Sequence, residues 1–404
     1  MAIIASALHD MIGFTELFSP ASASLTTSSL LVGAPGLETL LDRITIQTGV
    51  RSCAEHLKSN VRSTGNVMNR RGVMKLAVGT AILGGLPTGA LSAGQRYVKL
   101  EGLGMSPFST TFMGVLKGAS DYYGFKSSSA TVFGATGHAF LINIHKQLGP
   151  SGPYVWQRDM ADPLAENVGL RLTDLGFHSP ESSQKDRPGV EQKMRGALDR
   201  GIPCCMINLE NQLITGYDDA GFFTDQPWKG RDFPPARLSF GSWKELGDHF
   251  HINFYMLEKV TPSDRLTAIL DSLVYAIDLH ENPSAHSYEQ YGIGPEAYAH
   301  WIDAAPDHGA SHGNWWNATV WSECRTMASR YMEEIGKEYG HVSQQASQLK
   351  GAYAGIATAL HTVSARDMDA AEKVKLLRET AEREAAAAEM LAVLADALRT
   401  DRGA

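Results

Sequence analysis

The sequence predicts an α+β domain followed by an all-helical region. Three observations predict it. Between residues 96 and 259, strand-like runs bounded by Gly, Pro and Asp are interleaved with amphipathic segments. From Pro262 onward the apolar residues recur only at helical spacing. The chain has 404 residues, enough for two domains of ordinary size, and it carries no internal repeat.

In chain order, Ser109-Thr110-Thr111 caps a predicted helix through Phe112, Val115, Leu116 and Ala119, which stops at Gly124. An element over Ser127–Phe133 runs into Gly134-Ala135-Thr136-Gly137-His138, and Ala139–Ile144 then reads as a strand. Val190–Arg200 is an amphipathic helix with Met194, Ala197 and Leu198 inward, ended by Gly201. Strands follow over Pro203–Leu209, Gln212–Tyr217 and Gly221–Thr224, the last after an Asp218-Asp219 turn. His249–Glu258 alternates as a further strand. The helical region, 260–402, comprises Asp264–Leu279, Glu296–Ala304, Asn317–Tyr339, Ser343–Thr362 and Asp369–Arg399. The last, rich in Ala and Glu, reads as a solvent-facing helix of a bundle.

Residues 1–67 lack sustained periodicity, and Ala21–Ser29 has the composition of a loop. Asn69-Arg70-Arg71-Gly72-Val73-Met74-Lys75 then leads into an apolar stretch, Leu76–Leu86, followed by Pro87 and Ala90-Leu91-Ser92. A basic stretch, a short apolar run and a small-x-small site make the layout of a signal peptide. It resembles the signal of the twin-arginine export pathway. The resemblance implies that 68–93 is a signal with Met68 as the true start, and that 1–67 is an unstructured extension or a mis-called start. It also implies a periplasmic or extracellular protein with no membrane association once the signal is removed. The competing interpretation is a small core helix preceded by surface arginines. The apolar run is shorter than the about 20 residues a transmembrane helix needs.

Composition is that of an ordinary globular chain, 43% hydrophobic and 20% charged. The net charge of -8, with no basic cluster beyond residue 75, argues against a nucleic-acid partner. Four cysteines are too few for a disulfide scaffold. Cys204 and Cys205 sit in a strand-like run, which predicts burial.

Two stretches carry a family resemblance: Ser109 to Gly114 continuing through Asp121-Tyr122-Tyr123-Gly124-Phe125, and Gly201-Ile202-Pro203-Cys204 continuing through Leu213 to Asp219. They resemble papain-like domains of the bacterial leader-peptidase kind, and within that group the family of the N-terminal domain of butirosin biosynthesis protein H. Phe133 to Phe140, Gly313 to Asn317 and Trp321 to Arg325 support the narrower match, which covers about residues 97–400. It implies a papain-like domain, a helical region behind it, and acyl transfer from a carrier-protein thioester to an amine. Such a hydrolase needs a Cys at the N-terminus of its first helix, where the helix dipole and a His produce the thiolate. Here that position offers Ser109, Thr110 and Thr111, the His position falls at or near Glu210, and no His lies between His178 and His249.

The candidate catalytic residues are therefore Ser109, His138 and Glu210, and the candidate ligand-binding set is Thr110, Gly134, Gly137, His138, Glu210 and Asn211. Ser109 is either a hydroxyl nucleophile replacing Cys or a helix N-cap. His138 is either a general base or a histidine satisfied in a turn, behind two glycines that permit close approach of a ligand. Glu210 is a base only if burial raises its pKa; otherwise Glu210 and Asn211 belong to a strand-edge turn. His145 reads as a surface residue, and Asp218-Asp219 as a local turn. His308 and His312, with Asp307, are spaced for a metal only on one helix, and Gly309 and Gly313 argue for a loop, so no metal or other cofactor is expected. Asn314, Trp315, Trp316, Asn317 and Trp321 are core or a pocket wall that Glu323 and Arg325 extend. Three functions stay open: an exported, non-proteolytic domain binding a small molecule or peptide in the degenerate catalytic cleft between the head of the first helix and Glu210, an acyltransferase or amide-forming or amide-cleaving enzyme, and a structural or interaction module.

Overall fold

Helix α1 (Thr111–Tyr122) runs from Thr110 to Gly124, where a φ of 82° gives the left-handed turn that stops it. The structure, a computed structural model, describes residues 96–180, 185–208, 210–228, 234–248 and 250–400; residues 1–67 and the twin-arginine-like segment lie outside them. Helix α2 (Ser129–Ala135) starts at Ser128, whose hydroxyl accepts a hydrogen bond from the Thr131 N–H at 2.9 Å. Gly134 is required by packing: a Cβ there would lie 2.2 Å from the ring of Tyr331.

Seven strands form one antiparallel sheet: β1 (Val98–Lys99), β3 (Leu170–His178), β4 (Cys204–Ile207), β5 (Asn211–Tyr217), β6 (Gly221–Asp225), β7 (Arg237–Ser239) and β8 (Ile252–Lys259). The order is β3-β8-β4-β5-β6-β7, with β1 added to β5. Every residue of β5 is buried, which fits a strand enclosed on both faces. Helix α3 (Arg187–Asp199) buries Val190, Met194, Ala197 and Leu198. Two short strands, β2 (Asn143–His145) and β9 (Tyr291–Ile293), make a separate ribbon.

The helical region holds α4 (Arg265–Glu281), α5 (Pro295–His308), α6 (His312–Glu338), α7 (Ser343–Val363) and α8 (Ala370–Thr400). Among the described residues no helix is long and apolar enough to cross a membrane. The Ala/Glu-rich α8 is not a purely solvent-facing helix. It buries Leu377, Ala387, Leu391, Leu394 and Leu398 and packs on α4, α5 and α7. A mixed α/β half followed by helices is thus present, and one hydrophobic cluster runs through strands and helices alike.

Three local expectations need correction. Ala139–Ile144 is not a strand: a 3-10 turn covers His138–Phe140, and pairing begins only at Asn143. The reason is that the carbonyls of Ala139 and Leu141 accept hydrogen bonds from Arg325 Nη1, both at 2.9 Å, rather than from a neighbouring strand. The helix expected from Asn317 starts at His312, because the Ser311 hydroxyl accepts from the Asn314 N–H at 3.1 Å and caps it. Gly313 lies inside that helix, where any Cβ would meet the Leu148 carbonyl at 1.9 Å. Edge strand β3 was not anticipated, since its polar Arg171, Thr173 and Asp174 and its bulge between Asp174 and Gly176 blur the alternation.

Arg325 ties these parts together. Its Nε lies 2.9 Å from both carboxylate oxygens of Glu384 on α8, and the pair is buried, at 0% and 2% side-chain exposure. The Tyr298 hydroxyl on α5 donates to the same carboxylate at 3.0 Å. Removing one partner of a buried ion pair leaves an uncompensated charge. We therefore expect Arg325→Met to lower the unfolding free energy by about 3–5 kcal/mol in urea denaturation. A loss below about 1 kcal/mol would show that α6 and α8 are held by apolar packing alone.

Candidate functional site

The N-terminus of α1 meets the start of β5. Thr111, the first residue of α1, donates its hydroxyl to Glu210 Oε2 at 2.9 Å. The Thr111 hydroxyl oxygen itself accepts the backbone N–H of Asn211 at 3.1 Å and the Asn211 side-chain amide at 2.9 Å. A hydroxyl has one proton and two lone pairs, so Thr111 has no hydrogen-bonding capacity left. The Tyr154 hydroxyl donates to Glu210 Oε1 at 2.6 Å and itself accepts from Trp316 Nε1 on α6 at 2.8 Å. The resulting chain, Trp316–Tyr154–Glu210–Thr111–Asn211, joins α6 to the sheet. Thr111 is 1% exposed and Glu210 7%. Burial pushes the Glu210 carboxyl up to about 8, against the lowering effect of its bonds from Tyr154 and Thr111.

Donors just before α1 are also taken. Glu323, on α6, accepts the N–H groups of Ser109 at 3.2 Å and Thr110 at 2.7 Å, and the Thr110 hydroxyl at 2.7 Å. A carboxylate at a helix N-terminus is favoured by the exposed N–H groups and the helix dipole. Burial nevertheless holds the Glu323 carboxyl above its ordinary range.

Of the sequence candidates, the structure brings together Thr110, Glu210 and Asn211 at this position. Ser109 joins through its backbone only, and the hydroxyl that reaches Glu210 belongs to Thr111. His138 sits among the rings of Phe112, Trp156 and Trp321 at centroid distances of 5.9, 5.5 and 6.5 Å. Burial, and then the positive charges of Arg158 and Arg325, push its pKa down to about 3, and its Nε2 has no hydrogen-bond partner among the described residues. The space beside Gly134 and Gly137 is filled by Tyr331 and Tyr275.

Other signals resolve into structure. His145 is buried against Tyr291, not exposed. Asp218 closes the β5–β6 turn by accepting the N–H groups of Ala220 at 2.8 Å and Gly221 at 3.1 Å. His308 ends α5 and His312 begins α6, and among the described residues no cluster of three His, Cys, Asp or Glu side chains is arranged to hold a metal. Asn314 accepts from Trp301 Nε1 at 2.8 Å and Asn317 from Trp321 Nε1 at 3.3 Å, so these amides satisfy buried indoles. Cys204, Cys205 and Cys324 are free and buried, and burial raises each thiol, to about 12 for Cys205 and Cys324.

No protein-family model matches the chain, and no curated protein matches it either.

Glu210 has a measurable consequence. Its folded pKa, about 8, lies above its ordinary 4.5. Below pH 4.5 both folded and unfolded chains hold this proton, so its stabilising contribution is complete. As pH rises, the unfolded chain ionises first, and the contribution is lost on the way through about 8. Unfolding free energies from urea denaturation between pH 5 and 8 should therefore fall for the native chain relative to Glu210→Gln, with a slope of up to about 1.4 kcal/mol per pH unit. Parallel profiles would mean that Glu210 ionises in the folded state as it does in water.

Proposed function

We propose that this chain is an exported, papain-like protein that hydrolyses no peptide and acts by binding a small molecule or peptide. The observation that carries this reading is the saturation of Thr111. A papain-like hydrolase sets its nucleophile at the head of the first helix, facing a base at the start of a strand hairpin. Thr111 and Glu210 occupy that juxtaposition, which supports descent from such a fold. A nucleophile needs a lone pair free for attack and a base able to take its proton. Both lone pairs of Thr111 are engaged by Asn211, and Glu210 holds its own proton below about pH 8. The oxyanion-type donors at Ser109 and Thr110 are occupied by Glu323. The former reaction centre has become a bolt between sheet and helices.

Acyl transfer is the second reading, favoured by the 2.9 Å contact between the Thr111 hydroxyl and Glu210. Above pH 8 the carboxylate is ionised and that contact has the geometry of general-base activation. One experiment separates the two. The protein is incubated at pH 7 and pH 9 with a fluorophosphonate, an alkylating thiol probe and a peptide library, and adducts are mapped by mass spectrometry. The binding reading expects no adduct at Thr111, Cys204, Cys205 or Cys324 and no cleavage. Thr111→Val should instead cost about 1–3 kcal/mol of stability, because Glu210 and the Asn211 donors lose their buried partner. A stoichiometric adduct on Thr111 that grows with pH would replace binding by acyl transfer.

Export rests on Arg70-Arg71 and the apolar run that follows. Residues 68–95 fused to a reporter active only outside the cytoplasm should confer activity, and the Arg70→Lys/Arg71→Lys form should lose most of it. Equal activity of the two would remove the twin-arginine route.

A further inference from the structure

Glu210 is the joint of the chain that runs from Trp316 to Thr111. Its two oxygens are held from different elements. Oε2 accepts the hydroxyl of Thr111 on α1, and Oε1 accepts the hydroxyl of Tyr154, which Trp316 of α6 holds in turn. The next residue, Asn211, opens β5 and directs two donors at the Thr111 oxygen. One carboxyl and one asparagine thus close the sheet side of the head of α1.

The surroundings suit a neutral carboxyl and not a charged one. A buried carboxylate without a countercharge is strongly disfavoured. Glu210 is buried, and no cation acts on it: burial alone raises its pKa, and only the bonds from Tyr154 and Thr111 lower it. The other titratable groups around it are Tyr154, in the turn Gly152–Tyr154, and Glu323 and Cys324 on α6. Burial pushes the Tyr154 hydroxyl well above its ordinary range and the Cys324 thiol up to about 12, so both keep their protons at neutral pH. Glu323 faces the N–H groups of Ser109 and Thr110.

Solvent is nevertheless close. Ile207 and Asn211 are the last pair of the β4–β5 ladder, and Ile207 and Asn208 are half-buried. The end of a ladder is where local opening takes least free energy.

We infer that Glu210 is a proton latch: while protonated it holds Asn211 and Thr111 together, and loss of its proton to water lets Glu210 and the terminal Ile207–Asn211 pair leave Thr111 locally, with α1 and α6 in place. The N–H groups held by Glu323 stay covered. Opening frees the Thr111 oxygen but takes the carboxyl away with it, so the hydroxyl is exposed without being activated. The inference goes beyond the binding reading, because it concerns closure and holds whatever the chain binds.

The sign follows from linkage. Below the ordinary carboxyl pKa of 4.5 closed and open forms both hold the proton, and the latch is tightest. Between 4.5 and about 8 only the open form releases it, so the open population rises about tenfold per pH unit. Above about 8 both forms are ionised and the ratio is constant.

The test is amide hydrogen exchange of the full chain, resolved to single residues, from pH 5 to 8 under conditions where the rate follows the opening equilibrium. The logarithm of the Asn211 rate should rise by about two per pH unit, one from base catalysis of exchange and one from Glu210. Glu210→Gln should bring that slope to about one, and Glu323→Gln should leave it at about two. The buried Leu257 amide on β8, which donates to the Pro203 carbonyl, should exchange at least about tenfold more slowly than Asn211. A slope of about one in the native chain, a slope of two kept by Glu210→Gln, a slope lost in Glu323→Gln, or Asn211 and Leu257 exchanging together would each overturn the latch. The native slope and the Leu257 comparison stand even where Glu210→Gln fails to fold. An adduct on Thr111 would remove the binding reading and leave these slopes unchanged, so the two failures are distinguishable.

Discussion

The Arg325–Glu384 pair constrains the fold more than any other contact described. Both charges are withdrawn from water, and each needs every bond it makes. Arg325 projects from α6 to two carbonyls at Ala139 and Leu141 on one side and to α8 on the other. Those carbonyls face Arg325 and not a neighbouring strand, and the backbone after His138 turns before it pairs. Glu384 in turn fixes Tyr298 of α5. One buried cation thus sets the position of α5, α6 and α8 and of the turn that carries His138, and it helps to hold His138 neutral.

The second constraint is the sharing of α6 between two roles. This helix supplies Arg325 to the lock, Trp316 to the chain ending at Thr111, and Glu323 to the head of α1. These residues reach different partners because the helix is long and buried over most of its length. Opening the head of α1 to a ligand would require Glu323 to leave three donors and Trp316 to release Tyr154. Neither can move far while Arg325 is pinned. The head of α1 is closed by the same helix that stabilises the molecule.

Much of the fold was legible because its signals are local. Tyr123-Gly124, Gly201 and the Asp218-Asp219 turn end their elements where the residue types dictate. The helical spacing beyond Pro262 marks the later helices within a few residues. What was not legible depends on distant partners. Nothing near Ala139 announces that its carbonyl belongs to Arg325, 186 positions along the chain. Gly313 looks like a loop residue until the Leu148 carbonyl is placed against it. At the site, the position of Glu210 and Asn211 could be counted from the hairpin, but the choice among Ser109, Thr110 and Thr111 could not. It is set by the helical phase at which one hydroxyl faces β5. Glu323 was assigned to an aromatic cluster because its partners at the head of α1 lie more than 200 residues away in sequence.

A hydroxyl and a carboxyl at 2.9 Å are, by distance alone, as compatible with chemistry as with structure. What separates the two is capacity. A catalytic hydroxyl must keep one lone pair for the electrophile, and its base must be ready to accept a proton at working pH. Thr111 keeps none, because Asn211 spends both its backbone and side-chain donors on one oxygen. Glu210 is buried without a cation beside it, so the proton stays on the carboxyl where a His or an ionised Glu would accept one. With its remaining valences filled from Asn211, Tyr154 and Trp316, the Thr111–Glu210 contact joins helix to sheet, and what it serves is stability.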